Sequence, residues 1–164
     1  MKRPPYLKHG DTIGVAAPSG CFGKHELLAA FDIFESWGLK IKTGKHLYEK
    51  ELSFAGSDAH RREDFQKMLD DEEIQAIVCA RGGYGTVRII GDLDFTRFKK
   101  HPKWISGYSD ITVLHAALHQ LGFESMHGIM PRTVLPNEPD VVSFDSLRGM
   151  LFGEISEYSL QPND

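Results

Sequence analysis

One short segment, residues 76–80 (A-I-V-C-A), limits most strongly what this chain folds into. The segment is apolar on both faces, which is the pattern of a central strand in a parallel sheet that helices cover on both sides. A glycine-rich run, residues 81–85, follows it directly and indicates that the strand ends in a loop. The segment therefore predicts an α/β fold.

Strand and helix patterns alternate along the rest of the chain. Apolar runs predict further strands over residues 12–17, 39–41, 103–106 and 123–127, and apolar spacings of three and four predict helices over residues 25–37, 58–69, 86–90, 110–121 and 143–151. Such alternation predicts an open, mostly parallel sheet of about five strands with helices on both faces, a Rossmann- or flavodoxin-like three-layer sandwich.

Composition and charge exclude several classes of function. The formal net charge is −4 at pH 7, whereas a nucleic-acid-binding domain carries a basic patch or stripe, so we expect no nucleic-acid partner. No apolar run approaches about 18 residues, which predicts no membrane span. With no secretory leader and two cysteines that lack zinc spacing, we expect a reduced, cytoplasmic protein. Lys99, Lys100 and Lys103 are predicted to lie in a solvated loop.

The chain length fits one domain. We predict that residues 1–153 form this domain and that residues 154–164 begin a linker, because the end of the chain (Q-P-N-D) is turn-like. Three loops within the domain leave the carboxyl ends of predicted strands with small residues. They are the first loop (residues 18–20), the glycine loop (residues 81–85) and the serine loop (residues 107–110). Ligands of open parallel sheets bind at this edge.

The serine loop, G-Y-S-D, joins a predicted strand directly to a helix and places Ser109 at the corner. This is the context of a nucleophile elbow, in which a tight turn exposes the serine hydroxyl above the sheet. The backbone N–H of Asp110 would then lie at a helix N-terminus, where it can stabilise an oxyanion. Ile111 replaces the second glycine of the usual elbow pattern, and helix capping by Ser109 or Asp110 is the alternative interpretation.

The glycine loop, R-G-G-Y-G, allows backbone N–H groups to approach a ligand closely. One of these groups either completes an oxyanion hole or contributes to a phosphate-binding nest. The loop does not match the Walker A or dinucleotide-binding patterns. Arg81 either binds a substrate carboxylate or pairs structurally with Asp110 or another acid.

Among the eight histidines, His127 is the one that topology places near Ser109, at the end of a predicted strand. It either takes part in the site or is a hydrogen-bonded structural residue. His115 and His119 are four residues apart on one predicted helix, but no glutamate follows His115 as in H-E-x-x-H. We therefore expect no metal site and no cofactor.

Several of these motifs occur together in one known family. The motifs are A-R-G-G-Y-G at residues 80–85, G-Y-S-D at residues 107–110, H-G at residues 127–128, and A-P-S at residues 17–19. In this order and spacing the chain resembles the LD-carboxypeptidase family of serine peptidases over essentially its whole length. The family includes a microcin-immunity branch that cleaves a toxic aminoacyl-nucleotide analogue.

The resemblance implies a role for each matching residue. Ser109 matches the nucleophile, and the backbone N–H groups of Asp110 and of Gly83 or Tyr84 would form the oxyanion hole. The residues that would bind substrate are Arg81, Gly82, Ser19 and His127. The implied reaction is metal-free hydrolysis of the L,D-peptide bond to the terminal D-alanine of cytoplasmic murein peptides, through an acyl-enzyme.

The chain departs from the family in one respect. The family's histidine and glutamate of the triad come from a C-terminal domain, and nothing in this sequence matches that domain. We therefore expect an N-terminal half whose partner is its own C-terminal domain, homodimeric when full length and poorly active alone. Two non-catalytic alternatives are an anion-binding α/β module and an interaction domain that retains the fold.

Overall fold

The computed structural model describes residues 1–134, 141–155 and 157. Five parallel strands form one sheet in the order β2-β1-β3-β4-β5. The strands are β1 (Thr12–Ala16), β2 (Lys40–Thr43), β3 (Ile74–Cys79), β4 (Trp104–Gly107) and β5 (Met126–His127). This is the strand order of the flavodoxin-like doubly wound fold, so the predicted fold class is confirmed.

Helices connect the strands and cover both faces of the sheet. They are α1 (Leu28–Ser36), α2 (Asp58–Asp70), α3 (Thr86–Ile89), α4 (Thr96–Lys100), α5 (Thr112–Gln120) and α6 (Val141–Phe152). Short 3-10 helices precede α1 and α5, over Lys24–Leu27 and Ser109–Ile111. In the part of the chain that the structure describes, no helix has the length and apolar character needed to span a membrane.

The central strand β3 shows why its sequence is apolar throughout. Ile77 and Cys79 pack into the layer formed with α2 and α5. Ala76 and Val78 pack into the opposite layer, formed with α1 and α6. Both layers exclude water from the strand, so no position between residues 76 and 79 is exposed. Burial raises the pKa of the Cys79 thiol, as expected for a structural cysteine.

The last strand is shorter than its sequence pattern predicts. Residues 123–127 read as a strand, but only Met126 and His127 pair with β4. Phe123 instead forms an isolated bridge with Lys2 and packs into the core. The N-terminal segment thus takes a pairing position that a local pattern cannot reveal.

The β2–α2 connection, residues 44–57, folds back across the carboxyl edge of the sheet. The N–H of Ala55 donates to the carbonyl of Ser19 (3.0 Å), and the N–H of Cys21 donates to the carbonyl of Ser53 (3.0 Å). The connection ends at Ser57, whose side chain accepts the N–H of His60 and caps α2. It therefore forms one wall beside the first loop.

Lys103 lies in the loop directly before β4, as predicted, but it is buried, so its predicted exposure to solvent is wrong. Its Nζ donates to the carbonyl of Met68 (2.9 Å) and to that of Asp71, at the C-terminal end of α2. These carbonyls lie where a helix leaves its last acceptors without helical donors, and this attracts the ammonium. Burial lowers the pKa of Lys103 from 10.5 to about 8, because the apolar surroundings disfavour the charged form.

This shift makes stability depend on pH in a defined window. Below pH 8 both the folded and unfolded states hold the Lys103 proton, so its effect on stability is constant. Between pH 8 and 10.5 the unfolded chain retains a proton that the folded chain has released, so stability rises with pH. We expect the free energy of unfolding of the wild type to rise by about 1–3 kcal/mol relative to Lys103→Met across this window.

Urea unfolding of both proteins at several pH values between 7 and 10.5 measures the difference. If the free energy of unfolding depends on pH in the same way in the wild type and in Lys103→Met, the pKa of Lys103 is the same in the folded and unfolded states.

Candidate active site

The carboxyl ends of β1, β3 and β4 bring the first loop, the glycine loop and the serine loop together. The N–H of Gly20 donates to the carbonyl of Gly82 (3.2 Å), which joins the first two loops. A Cβ added at Gly82 would lie only 3.0 Å from the Ser109 Cβ and 3.2 Å from its Oγ, so the glycine loop touches the serine loop directly. The sequence predicted that these loops lie at one edge of the sheet, and the structure shows that they are in contact.

Ser109 has an unusual backbone conformation. Its φ is +64°, in the left-handed region that non-glycine residues rarely adopt, and its side chain is exposed. It is the first residue of the 3-10 turn that leads into α5, and Tyr108 alone separates it from β4. Such strain costs about 1–3 kcal/mol and persists where the surrounding structure enforces it, frequently at active sites. The geometry is that of a nucleophile elbow.

The capping alternative for Ser109 and Asp110 does not describe the structure. Neither helix start in this turn has a side-chain cap. The Asp110 carboxylate instead accepts the hydroxyl of Ser19 (2.5 Å) and the N–H of Thr86 (2.8 Å), the first residue of α3. Because Ser19 donates to the carboxylate, the Thr86 hydroxyl donates to Ser19 Oγ (2.8 Å). One carboxylate therefore binds all three loops together.

This network changes the interpretation of Ser19. The residue is fully buried, and its hydroxyl has a partner on each side. Its side chain therefore holds the loops in place and does not face solvent, and the predicted contact of Ser19 with substrate stays a prediction. Thr86 belongs to the same network and was not singled out by the sequence, since a threonine that opens a helix has no distinguishing pattern.

The glycine loop presents free backbone donors. Gly83 has a φ of +125°, and both Gly83 and Tyr84 are exposed. Within the described ranges, the N–H groups of Gly83, Tyr84 and Asp110 have no hydrogen-bond acceptor. The family resemblance assigns the N–H of Asp110 and that of Gly83 or Tyr84 to an oxyanion hole, and that role stays a prediction.

Two arginines support the loops from the side and from below. Arg81 donates to the carbonyl of Cys21, so its partner is the backbone and not Asp110. Arg61, which sequence analysis missed, is buried beneath Gly85 and donates to the carbonyl of Pro18 (2.6 Å) and to Asp58. Its position on the second turn of α2 gave no signal in the sequence.

His115, near the serine loop, has a hydrogen-bond partner on each of its ring nitrogens. His115 Nε2 donates to the carbonyl of Gly107 (2.8 Å), and its Nδ1 accepts the Ser125 hydroxyl (2.8 Å). Burial lowers the pKa of His115, which keeps the ring neutral. Both ring nitrogens therefore already have hydrogen-bond partners, which argues against a metal ion shared with His119.

His127 is exposed at the end of β5. Its ring centroid lies 6.0 Å from that of Tyr108 and 6.1 Å from that of His115. Together with Tyr108, Gly128, Ile129 and Thr133 it lines a cavity of about 340 Å³ beside the serine loop. A larger cavity of about 890 Å³ lies between α5, β5 and α6, and Ser109 does not line it. Ser109 does not line the smaller cavity either, so a contact between His127 and substrate stays a prediction.

The arrangement places an exposed serine hydroxyl at the same edge of the sheet as backbone N–H groups without acceptors. Among residues 1–134, 141–155 and 157, no histidine or carboxylate forms a hydrogen bond with the Ser109 hydroxyl. A serine hydroxyl attacks poorly unless a base takes its proton. Among the described residues, Ser109 thus has no partner of this kind.

The Asp110 network predicts the effect of one substitution. Asp110→Asn keeps the size of the side chain but replaces a charged acceptor of two hydrogen bonds with an amide, beside the buried Ser19 hydroxyl. We expect the free energy of unfolding to fall by about 1–3 kcal/mol. Urea unfolding measures this change, and Asp92→Asn, at an exposed surface ion pair with Arg62, is the matched control. Equal small effects in the two variants would refute the role of Asp110.

Comparison with known proteins gives similar relatives over most of the chain. The probable murein peptide carboxypeptidase of Bacillus subtilis is 43% identical over 132 residues, which cover 80% of this chain and 41% of the relative. The structure of MccF in complex with glutamyl sulfamoyl guanosine matches the fold with a TM-score of 0.87 at 23% identity, over 96% of this chain and 50% of that one.

A muramoyltetrapeptide carboxypeptidase from Oxalobacter formigenes matches with a TM-score of 0.77 at 25% identity, over 85% of this chain and 47% of that one. The chain thus spans about half the length of the relatives it matches. Residues 13–128 match the family described as LD-carboxypeptidase N-terminal domain. Since this match covers more than half of the chain and includes all three loops, the protein belongs to the LD-carboxypeptidase family.

Proposed function

We propose that this chain is the nucleophile-bearing domain of a serine carboxypeptidase that hydrolyses the L,D-peptide bond to terminal D-alanine in murein peptides. The observation that carries the proposal is the left-handed, exposed Ser109 at the turn between β4 and α5. The relatives named murein peptide carboxypeptidase and muramoyltetrapeptide carboxypeptidase support the same substrate class.

The proposed reaction has two steps. The Ser109 Oγ attacks the carbonyl carbon of the scissile bond and gives its proton to a base, which passes a proton to the departing D-alanine nitrogen as the C–N bond breaks. Water then hydrolyses the ester on Ser109. The N–H groups of Asp110 and of Gly83 or Tyr84 would stabilise the negative charge on the carbonyl oxygen in both steps.

The base is proposed to come from outside this chain. The absence of a base bonded to Ser109 in the described residues supports this, as does the coverage of about half of each relative. A histidine and a glutamate of the enzyme's own C-terminal domain would complete the triad, in a homodimer when full length. On this view the 164 residues alone release D-alanine poorly, and clear Ser109-dependent turnover by them would contradict it.

Substrate recognition is proposed to involve the rim of the site. His127 lines the cavity beside the serine loop, and the partly exposed Arg81 lies where the glycine loop meets the first loop. A free carboxylate at the end of the murein peptide suits a guanidinium partner. The backbone at Gly82 would contact the substrate near Ser109.

A second candidate is an amide hydrolase of the microcin-immunity type. The fold matches MccF over 96% of this chain, and that protein was solved with glutamyl sulfamoyl guanosine. The ratio of kcat/KM for an L,D-tetrapeptide to that for an aminoacyl-nucleotide analogue distinguishes the two candidates. A ratio well above one supports the carboxypeptidase, and the inverse supports the immunity-type enzyme.

Ser109→Ala tests the nucleophile in the full-length enzyme. We expect D-alanine release to fall by at least about 10³-fold, and covalent labelling by a serine-directed acylating probe to be lost, because the attacking oxygen is gone. Ser36→Ala is the matched control, since Ser36 is exposed at the end of α1 and only donates to a nearby carbonyl. Labelling that persists in Ser109→Ala would place the nucleophile elsewhere.

Gly82→Ala tests the contact between the glycine loop and the serine loop. The new Cβ would press on Ser109 at 3.0–3.2 Å and displace its hydroxyl. We expect acylation of Ser109 in the full-length enzyme to slow by about ten- to a hundredfold. Gly91→Ala is the control, because a Cβ at Gly91 has no atom within 4 Å. Equal acylation rates for the two variants would show that this contact does not position Ser109.

A further inference from the structure

A second cluster of ligand-type side chains lies on the β2–α2 connection and the first turn of α2. It consists of His46, Glu49 and His60, whose ligand atoms lie within 4.8 Å of one another. None of these residues belongs to the three loops around Ser109. The cluster was not apparent in the sequence, because its members are three and eleven residues apart in an irregular segment.

His46 is already oriented as a metal ligand. The residue is buried, and its Nδ1 lies 3.0 Å from the Asp64 Oδ1. The Asp64 carboxylate also accepts the backbone N–H of His46 (2.7 Å), which fixes both groups. Because a carboxylate accepts, Nδ1 donates to Asp64, and Nε2 is the ring nitrogen left for an ion. In metal-binding histidines, the ring nitrogen that does not bind the ion usually donates its N–H to a group such as a carboxylate.

His60 and Glu49 form the outer side of the cluster. The His60 Nδ1 lies 2.6 Å from the Glu49 Oε2, and their side chains are 43% and 42% exposed, so an ion has an open path. The His60 ring stacks on the His46 ring with centroids 4.1 Å apart and planes 12° from parallel. The backbone of His60 is held by Ser57, so the ring can turn without moving α2.

We propose that His46, Glu49 and His60 bind one divalent cation of the zinc class, such as Zn²⁺ or Ni²⁺. Imidazole nitrogens and one carboxylate oxygen suit these ions, and three protein ligands leave a position for water. A bound ion lies close to the plane of each imidazole, so the stacked rings cannot share it as they stand. In the bound state, the half-exposed His60 ring therefore turns out of the stack. Its hydrogen bond to Glu49 is broken, and both side chains bind the ion.

The ion would act on the structure beside the active site. It would tie the β2–α2 connection to α2, and the same connection donates from Ala55 to the carbonyl of Ser19. Arg61, the next residue after His60, donates to the carbonyl of Pro18 in the first loop. Metal binding thus stiffens the wall of the first loop, and it raises thermal stability by mass action. This inference is independent of the proposed function.

Zinc titration of the chelator-treated protein tests the site. We expect one Zn²⁺ per chain with a matching rise in Tm, and at least about tenfold weaker binding in both His60→Gln and Glu49→Gln. Both substitutions are at half-exposed positions, and circular dichroism confirms that the variants fold. His119→Gln, at an exposed histidine on α5, is the matched control and keeps wild-type affinity.

Histidine ring NMR provides a second measurement that does not depend on the variants. The ring signals of His46 and His60 shift on addition of zinc, whereas those of the other histidines stay in place. Either of two results would overturn the proposal: a wild-type Kd weaker than about 1 mM, or unchanged affinity in His60→Gln with shifts at other histidines.

Discussion

The Asp110 carboxylate is the interaction on which the site geometry depends. Parallel strands deliver their loops to one edge of the sheet, but nothing in the sheet itself fixes the loops relative to one another. Asp110 does so, since it accepts from Ser19 of the first loop and from Thr86 at the end of the glycine loop. A charged acceptor forms stronger hydrogen bonds than a neutral one. The residue that follows the candidate nucleophile therefore sets where that nucleophile points.

A buried cation complements this network from below. Arg61 lies under Gly85 in space that a side chain would occupy, and its guanidinium reaches the Pro18 carbonyl. Arg61 also packs against the Phe54 ring, 5.0 Å from its centroid, which gives the guanidinium an apolar as well as a polar support. The first loop and the glycine loop are thus held by one anion and one cation. The glycines are required here for close packing as much as for exposing N–H groups.

Sequence reasoning succeeded where the determining contacts are local or follow from topology. The apolar run of β3 predicted the sheet, and parallel strand ends predicted that the glycine loop and the serine loop lie at the same edge. It failed where one side chain reaches across the fold. Lys103 looked solvated because its acceptors, the last carbonyls of α2, lie more than 30 residues away in sequence. The burial of Ser19 could not be predicted for the same reason, since its partners follow other strands.

The left-handed backbone of Ser109 also affects which residue type is most stable at this position. Glycine adopts such a φ without a Cβ penalty, so selection for stability alone would favour glycine at this position. Under the proposed function, serine at this position lowers stability somewhat and supplies a hydroxyl at a fixed point. Within the family, a homologue with glycine at the equivalent position would then be expected to be more stable and catalytically inactive. This one residue would then distinguish working enzymes from descendants that retain only the scaffold.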